Sequence, residues 1–193
     1  MTEPTYNDEQ RAVMVDIALR SIQHGLDSYG PEPVDALLYS SALQQHRGTF
    51  VTLERYGQLR GCIGTLDAYQ PLIVDVAVQA HAAAFHDPRS PPLSNSEFRG
   101  LEQHIAVFSP PEPPSFRSEA DLLGQLRPGV DGLILMCGEQ RATFLPAVWE
   151  SLPEPDQFLI HLKQKAGFDS SFWSKDVRAE RYTTESFDNS MIR

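Results

Sequence analysis

The 193-residue sequence has only two cysteines, Cys62 and Cys137, and they do not form a CxxC pair. Two isolated cysteines are too few for a disulfide scaffold or a cysteine-rich zinc site, and they suit a reducing compartment. No apolar run approaches the roughly 20 residues that a membrane-spanning helix needs. The first residues, MTEPTYNDEQR, lack the apolar segment of a secretory signal. We therefore expect a cytoplasmic protein that does not bind membranes.

Basic residues are scarce relative to acidic ones. The chain has 16 Lys and Arg against 26 Asp and Glu, which gives a formal charge of −10 and a pI near 5.0. A surface of this sign repels nucleic-acid backbones, and no run of Lys or Arg offsets it, so we expect no nucleic-acid partner. Any anion-binding site must then be a local cluster of basic side chains in an otherwise negative protein.

Common catalytic motifs are missing, since the sequence has no HExxH helix, no Gly-rich phosphate loop and no nucleophile-elbow serine. The six histidines include no pair spaced i and i+4. His81 and His86 would point about 140° apart on a helix with 3.6 residues per turn, so we expect them not to share a metal. We therefore expect neither a metal nor a cofactor, and the pattern disfavours a zinc enzyme, a kinase or a serine hydrolase.

The pattern of hydrophobic and turn residues predicts helices interspersed with β-hairpins. Asn7 and Gln10 form a capping-box pattern before a first helix, and Pro71 suits the start of another. Runs rich in β-branched residues on either side of Tyr56-Gly57 predict one hairpin, and similar runs around Gly138 predict a second. We also expect a weak helix over 34–46, a strand over 104–109, a helix over 156–166 and a last strand over 177–184.

These elements lack a regular β-α-β alternation, which favours the α+β class with a largely antiparallel sheet. The length and the 41% hydrophobic content suit one domain over residues 1–193. Two Pro-rich loops, 88–92 and 110–114, bracket a smaller lobe that we expect around 88–130. Neither loop is long enough to be a flexible linker.

The most informative segment is residues 59–64, LRGCIG. On a strand, Arg60 and Cys62 point to one face while Gly61 and Ile63 point to the other. Glycine is costly inside a strand, so Gly61 and Gly64 indicate a β-bulge or a backbone that another group approaches closely. A guanidinium next to a thiol favours the thiolate, which makes Cys62 a candidate nucleophile or binding thiol.

A structural interpretation of the same segment stays open. If Tyr56-Gly57 is a two-residue turn, Cys62 pairs with Val51, which places the thiol among apolar neighbours. Free cysteines in such surroundings usually act as small hydrophobic residues. Cys137 ends the apolar run GLILMC, and we expect it to be buried and inert.

Asp87 and Arg89 flank Pro88 at the end of the third helix, and two roles are open for them. They either close a rigid exit loop by hydrogen bonds to local backbone, or Arg89 reaches the site as an anion clamp. His86, just before them, is the candidate base nearest to Cys62 in the sequence.

LRGCIG resembles the signature hexapeptide of the AMMECR family, the A proteins of the AmmeMemoRadiSam gene system. The resemblance continues along nearly the whole chain. It includes GTFVTL before the hexapeptide, the helix over 71–84, and DPR followed by Pro91 and Glu97. Further blocks are residues 105–109, GVDGL, TFLPAV and LKQKAG. One departure is Ser90, where the family usually has Phe.

The resemblance implies an α+β fold of two unequal lobes around a largely antiparallel sheet, with a cleft lined by the hexapeptide region. It implies no established biochemical activity. The genes of the family lie beside, or are fused to, those of Memo-type and radical SAM proteins, so these are the candidate partners. Such a gene association indicates no particular chemistry.

Two functions of different classes follow. The first is an enzyme, or a component of one, that handles a small anionic metabolite in an electropositive pocket, and the glycines beside the cysteine favour it. Its catalytic residues would be Cys62 and His86, and its ligand contacts Arg60, Gly61, Gly64, Asp87 and Arg89. The second is a non-catalytic binding or scaffold protein for a Memo-like or radical SAM partner. In that case the motif is structural and Arg60 forms an ion pair with Asp87 or Glu97.

Overall fold

Seven strands form two separate sheets in the computed structural model, which describes residues 5–28 and 30–189. The larger sheet has the order β2-β1-β3-β7, with β1 at Thr49–Arg55, β2 at Gln58–Gly64, β3 at Leu101–Phe108 and β7 at Thr184–Asp188. The smaller sheet has the order β5-β4-β6, with β4 at Gly132–Cys137, β5 at Gln140–Phe144 and β6 at Arg178–Tyr182. Strand β1 is antiparallel to β2 and β3, and β4 is antiparallel to β5 and β6. The predicted α+β class is confirmed.

The helices are α1 at Asp8–Ser28, α2 at Ser41–Gln44, α3 at Leu72–Phe85, α4 at Asn95–Phe98, α5 at Glu119–Gln125 and α6 at Pro155–Lys165. Two 3₁₀ turns lie at Ala36–Leu38 and Pro146–Glu150. The capping box predicted for α1 is confirmed, because Asn7 and Gln10 each accept a hydrogen bond from the backbone N–H of the other. The weak helix expected over 34–46 is wrong. Tyr39 and Ser40 are extended there, so a 3₁₀ turn and the short α2 replace one continuous helix.

The chain divides into two compact units. The first runs to Phe108 and resumes at Glu185, and the second is Ser109–Thr184. The smaller lobe expected around 88–130 therefore overlaps the second unit only over 109–130. A single domain over residues 1–193 stays a prediction.

In the first unit, α3 packs against α1 and against strands β1 and β2. Its buried face carries small side chains, including Ala77, Ala80, Ala83 and Ala84, which let neighbouring backbones come close. Together with apolar residues of α1 and of the sheet they form one core cluster. The hexapeptide segment therefore lies directly against a buried helix.

The hairpin that carries the hexapeptide has an irregular register. Tyr56 and Gly57 both have positive φ, at 54° and 71°, which is the backbone of a type I′ turn. The register then shifts so that Leu53 faces Gly61, and Arg60 is left as the extra residue of a β-bulge. As a result Cys62 pairs with Thr52, and the pairing with Val51 that the sequence predicted is wrong.

The second unit has its own core, in which the Trp149 and Phe158 rings stack at 3.8 Å. Lys163 is fully buried there and donates to the Glu119 carboxylate. The last strand, expected over 177–184, is instead two strands. Thr183 separates β6, in the smaller sheet, from β7, in the larger one.

Candidate functional site

The backbone of Cys62 is bound from outside the sheet. Strand β2 lies at the edge of its sheet, so one side of its backbone has no neighbouring strand. The Cys62 N–H donates to Oδ2 of Asp87 at 2.8 Å, and Nη2 of Arg89 donates to the Cys62 carbonyl at 3.0 Å. The two side chains thus take the place of a neighbouring strand at this residue and join the DPR loop to the hexapeptide.

Asp87 and Arg89 also bind each other. Nε and Nη2 of Arg89 donate to the two carboxylate oxygens at 2.9 and 2.6 Å, and the Arg89 backbone N–H donates at 2.9 Å. The hydrogen bonds from the Arg89 side chain, then those from the backbone of Cys62 and Arg89, hold the pKa of Asp87 well below its ordinary value. Asp87 is therefore a buried, ionised carboxylate that is fully occupied by four donors.

Arg60 is paired with a carboxylate of the same unit. Its Nε donates to Oε1 of Glu97 at 2.8 Å, and its Nη2 donates to Oε2 of Glu97 at 3.2 Å and to the Pro91 carbonyl at 3.0 Å. The Arg60 side chain is 12% exposed. Of the two outcomes that the sequence left open for Arg60, an electropositive pocket or an ion pair with Asp87 or Glu97, the structure has the pair with Glu97.

Glu97 links Arg60 to the start of α4. It accepts a hydrogen bond from the Ser94 backbone N–H, which is one half of a capping box at the start of α4, and another from the Ser94 hydroxyl. The hydrogen bonds from Arg60, then those from Ser94, lower the pKa of Glu97 to about 2. Nη1 of Arg60 is buried and has no hydrogen-bond partner within residues 5–28 and 30–189.

The Cys62 side chain is half-buried and accepts a hydrogen bond from the Thr52 hydroxyl at 3.2 Å. Thr52 is its partner across the ladder only because the bulge at Arg60 shifts the register. Cys137 is also half-buried, so the expectation that it is buried is wrong, while its expected inertness stays a prediction. Exposure alone therefore does not separate the two thiols.

Gly61 and Gly64 stand where neighbouring groups leave no room for a side chain. A Cβ on Gly61 would overlap the backbone carbonyl of Ala83 in α3, and a Cβ on Gly64 would overlap the Thr49 carbonyl and the Phe50 ring. The close approach that the sequence indicated is confirmed at both positions. Their role as ligand contacts, like that of Asp87 and Arg89, stays a prediction.

His86 lies beside His81. It follows the last residue of α3 and, with φ −126° and ψ 8°, leaves the helical path. For that reason the two imidazole rings lie 5.1 Å apart, and the expectation that they diverge is wrong. Among the residues that the structure describes, no hydrogen bond joins His86 to Cys62. The role of His86 as a catalytic base stays a prediction.

Thr52 and His81 are the site residues that the sequence reasoning missed. His81 falls on the buried stripe of α3, one turn from Ala77 and Ala84. A histidine within a stripe of alanines was the feature of the sequence that could have identified His81. No feature of the sequence identified Thr52, because its contact with Cys62 depends on the bulge.

Two features are absent from the described residues. No helix among them is long and apolar enough to cross a membrane. Over the same residues, no group of three or more His, Cys, Asp or Glu side chains is arranged to hold a metal ion.

The fold is shared with a solved protein. The crystal structure of an uncharacterised protein, PH0010 from Pyrococcus horikoshii, superimposes with a TM-score of 0.77 at 29% identity, covering 94% of this chain and 92% of that one. This likeness defines the class as an α+β protein with two antiparallel sheets.

Sequence comparisons place the chain in a family. The AMMECR1 family profile matches residues 15–187, and the chain belongs to the AMMECR1 family. A protein of Methanothermobacter thermautotrophicus is 38% identical over 150 residues, which cover 75% of this chain and 76% of that protein. Protein MJ0810 of Methanocaldococcus jannaschii is 32% identical over 158 residues, covering 78% and 77%. The resemblance on which the sequence interpretation relied is thereby confirmed.

Proposed function

We propose that this protein is a non-catalytic binding protein that docks a protein partner through the tip of its β1–β2 hairpin. The hexapeptide forms the structural base of that hairpin. The partner class comes from the family resemblance, namely a Memo-like or a radical SAM protein.

The observation that carries the proposal is the state of Tyr56 at the hairpin tip. Its side chain is 81% exposed and its backbone has a φ of 54°. A left-handed backbone costs a residue other than glycine about 1–2 kcal/mol, and Asn or Gly would relieve that cost. In a hairpin turn that stays in water, an exposed tyrosine does not offset the free-energy cost of its strained backbone. Protein–protein interfaces, in contrast, are enriched in aromatic side chains.

Neighbouring residues extend the apolar tip. Leu59 is 55% exposed and begins the hexapeptide. The guanidinium of Arg55 lies 4.9 Å from the centre of the Tyr56 ring, which favours an ordered orientation of that ring. Tyr56 and Leu59, together with Arg55, supply the aromatic, aliphatic and basic contacts common at protein interfaces.

The ion pairs support a structural role for the hexapeptide. Glu97 pairs with Arg60 and Asp87 pairs with Arg89, so a carboxylate already balances the charge of each guanidinium and little positive charge is left to attract an anion. Gly61 lets β2 lie against the backbone of α3. These contacts fix the base of the hairpin and leave its tip free for a partner.

A binding measurement with the full chain tests the proposal. The Memo-like and radical SAM proteins of the same organism are purified, and the affinity of each for the wild type, Tyr56→Asn and Tyr69→Asn is measured. Tyr69 is 71% exposed in a different loop and serves as the matched control. We expect one partner to bind, with Tyr56→Asn weakening binding at least about tenfold, as for an interface anchor. Absence of binding to either partner, or equal loss in both variants, would contradict the proposal.

Thiol chemistry at Cys62 is the second candidate function. The Thr52 hydroxyl donates to its sulfur, and the side chain is only half-buried. In this alternative the protein is an enzyme, or an enzyme component, that handles a small anionic metabolite. Turnover by the reconstituted set of three proteins, lost in Cys62→Ser but kept in Cys137→Ser, would favour this function over docking alone.

A further inference from the structure

A cavity of about 560 Å³ lies within the first unit. It is bordered by the end of α1, the end of α3 and the segment that leads into α4. Its lining residues are Gly25, Leu26, His81, Phe85, His86, Pro92, Leu93, Ser94 and Asn95. A volume between roughly 300 and 1,000 Å³ is usual for a small-molecule site.

His81 is the polar group that this cavity leaves without a partner. The His81 residue is only 5% exposed. Neither ring nitrogen has a hydrogen-bond partner in the part of the chain that the structure describes. The ring is therefore available to hydrogen-bond to a ligand in the cavity.

Glycine at position 25 lets α1 pack closely against the rings of the cavity wall. A Cβ on Gly25 would meet Cδ2 of His81 at 2.6 Å and Nε2 at 3.0 Å, and it would also overlap the Phe85 ring. Gly25 and His81 both line the cavity. A larger residue at position 25 would therefore displace the His81 and Phe85 rings.

The walls of the cavity are uncharged. None of the described residues that line it is Asp, Glu, Lys or Arg. Burial, then the neighbouring His86 and His24, lower the pKa of His81. Near neutral pH the imidazole is therefore neutral, with one N–H donor and one nitrogen acceptor. The phenyl ring of Phe85 and the imidazole of His86 lie 4.9 and 5.1 Å from the His81 ring, which provides flat aromatic surface.

We propose that this cavity binds a small, uncharged aromatic molecule whose polar ring atom or hydroxyl hydrogen-bonds to the His81 imidazole. The aromatic and aliphatic walls favour a ligand with a flat, apolar body. The described lining residues include no Asp, Glu, Lys or Arg, which disfavours an ionic ligand. The His81 imidazole favours a ligand with one polar atom that can hydrogen-bond to it. Nitrogen heterocycles and phenols are the classes that combine these features.

Indole and indene are suitable probes, since they have nearly the same shape and only indole carries an N–H. Each is titrated into the isotope-labelled full chain while the imidazole signals of His81 and His86 are followed by NMR. We expect indole to shift the His81 signal saturably and to bind about three- to tenfold more tightly than indene, as one net hydrogen bond allows.

Two variants extend the test. His81→Phe keeps an aromatic ring but removes both nitrogens, and it should abolish the preference for indole over indene. Gly25→Ala places a methyl group where the His81 and Phe85 rings now lie, so it should displace these rings and weaken binding of both probes, whereas Gly30→Ala, which meets no atom within 4 Å, should not. If indole leaves the His81 signal unchanged, or binds no better than indene to the wild type, the proposal fails whatever the variants do. If His81→Phe retains the preference, the assignment of His81 is wrong.

Discussion

Cys62 is held mainly through its backbone. Its N–H and carbonyl are bound by Asp87 and Arg89, while its sulfur accepts a hydrogen bond from Thr52 and interacts with the Arg89 guanidinium. The sequence predicted that the DPR loop and the hexapeptide belong to one site, because both are family motifs. It did not predict which atoms meet, since the outward side of an edge strand is determined by residues distant along the chain.

Cys62 should react faster with iodoacetamide than Cys137. Both thiols are half-buried, so we expect the difference to come from the Thr52 hydroxyl and the Arg89 guanidinium, which stabilise a sulfur that carries negative charge. Limited alkylation followed by peptide mass spectrometry ranks the two, and we expect a difference of about threefold or more.

Thr52→Val supplies the matched control, because it keeps the shape of the side chain and removes the donor. Equal labelling of the two cysteines in the wild type would remove the basis for thiol chemistry at this position. An unchanged Cys62 rate in Thr52→Val would show that the Thr52 hydroxyl does not contribute to it.

The pair of Arg60 and Glu97 should make stability sensitive to acid. The folded pKa of Glu97 is about 2, against an ordinary value of 4.5. The unfolded chain therefore binds more protons in this range, and the contribution of Glu97 is complete above pH 4.5 and is lost as the pH falls toward 2. Urea unfolding at pH 7, 4.5 and 3 should show a smaller acid loss in Glu97→Gln than in the wild type.

Glu97→Gln should also be less stable than the wild type at pH 7, because it leaves Arg60 without its counter-ion. The same change at Glu150, an exposed residue, should leave the acid dependence unchanged. An identical pH dependence in Glu97→Gln and the wild type would show that this ion pair does not contribute to stability.

At the scale of elements, some features of the β1–β2 hairpin were predictable from the sequence and others were not. Its turn at Tyr56-Gly57 and its strands were predictable from local residue types. The register was not, because it depends on the bulge at Arg60. Gly61 signalled a bulge or a close contact, and both occur near it. Nothing in the sequence indicated which residue would be the extra residue of the β-bulge.

Gly61→Ala should destabilise the fold strongly. The new Cβ would meet the Ala83 carbonyl, and a backbone atom inside a helix has little freedom to move away. We expect a loss of about 2–4 kcal/mol in the free energy of unfolding, typical of steric overlap in a packed interior. Chemical denaturation of the purified variant measures it.

Gly124 in α5 is the control, because a Cβ there meets no atom within 4 Å. Gly124→Ala should be neutral or slightly stabilising through its higher helix propensity. Similar stabilities for Gly61→Ala and the wild type would show that β2 does not require this close contact with α3.

At the scale of the whole molecule, the α+β class was predictable from the mixture of hairpins and helices, and the family from LRGCIG and the other matching segments that occur in order along the chain. The division of strands between two sheets was not. Residues 177–184 have a continuous strand pattern, yet Thr183 separates β6 from β7. Sheet membership depends on pairing with strands distant in sequence, which a local pattern does not encode.

The most direct test of docking through the hairpin tip is to measure two properties of Tyr56→Asn together. Asn tolerates the left-handed backbone better than Tyr, so its free energy of unfolding should equal or exceed the wild-type value by up to about 1 kcal/mol. Its affinity for the Memo-like or radical SAM partner should fall at least about tenfold. A gain in stability with a loss in binding is the result expected for a strained interface residue. A Tyr56→Asn variant that binds the partner as tightly as the wild type would contradict the account.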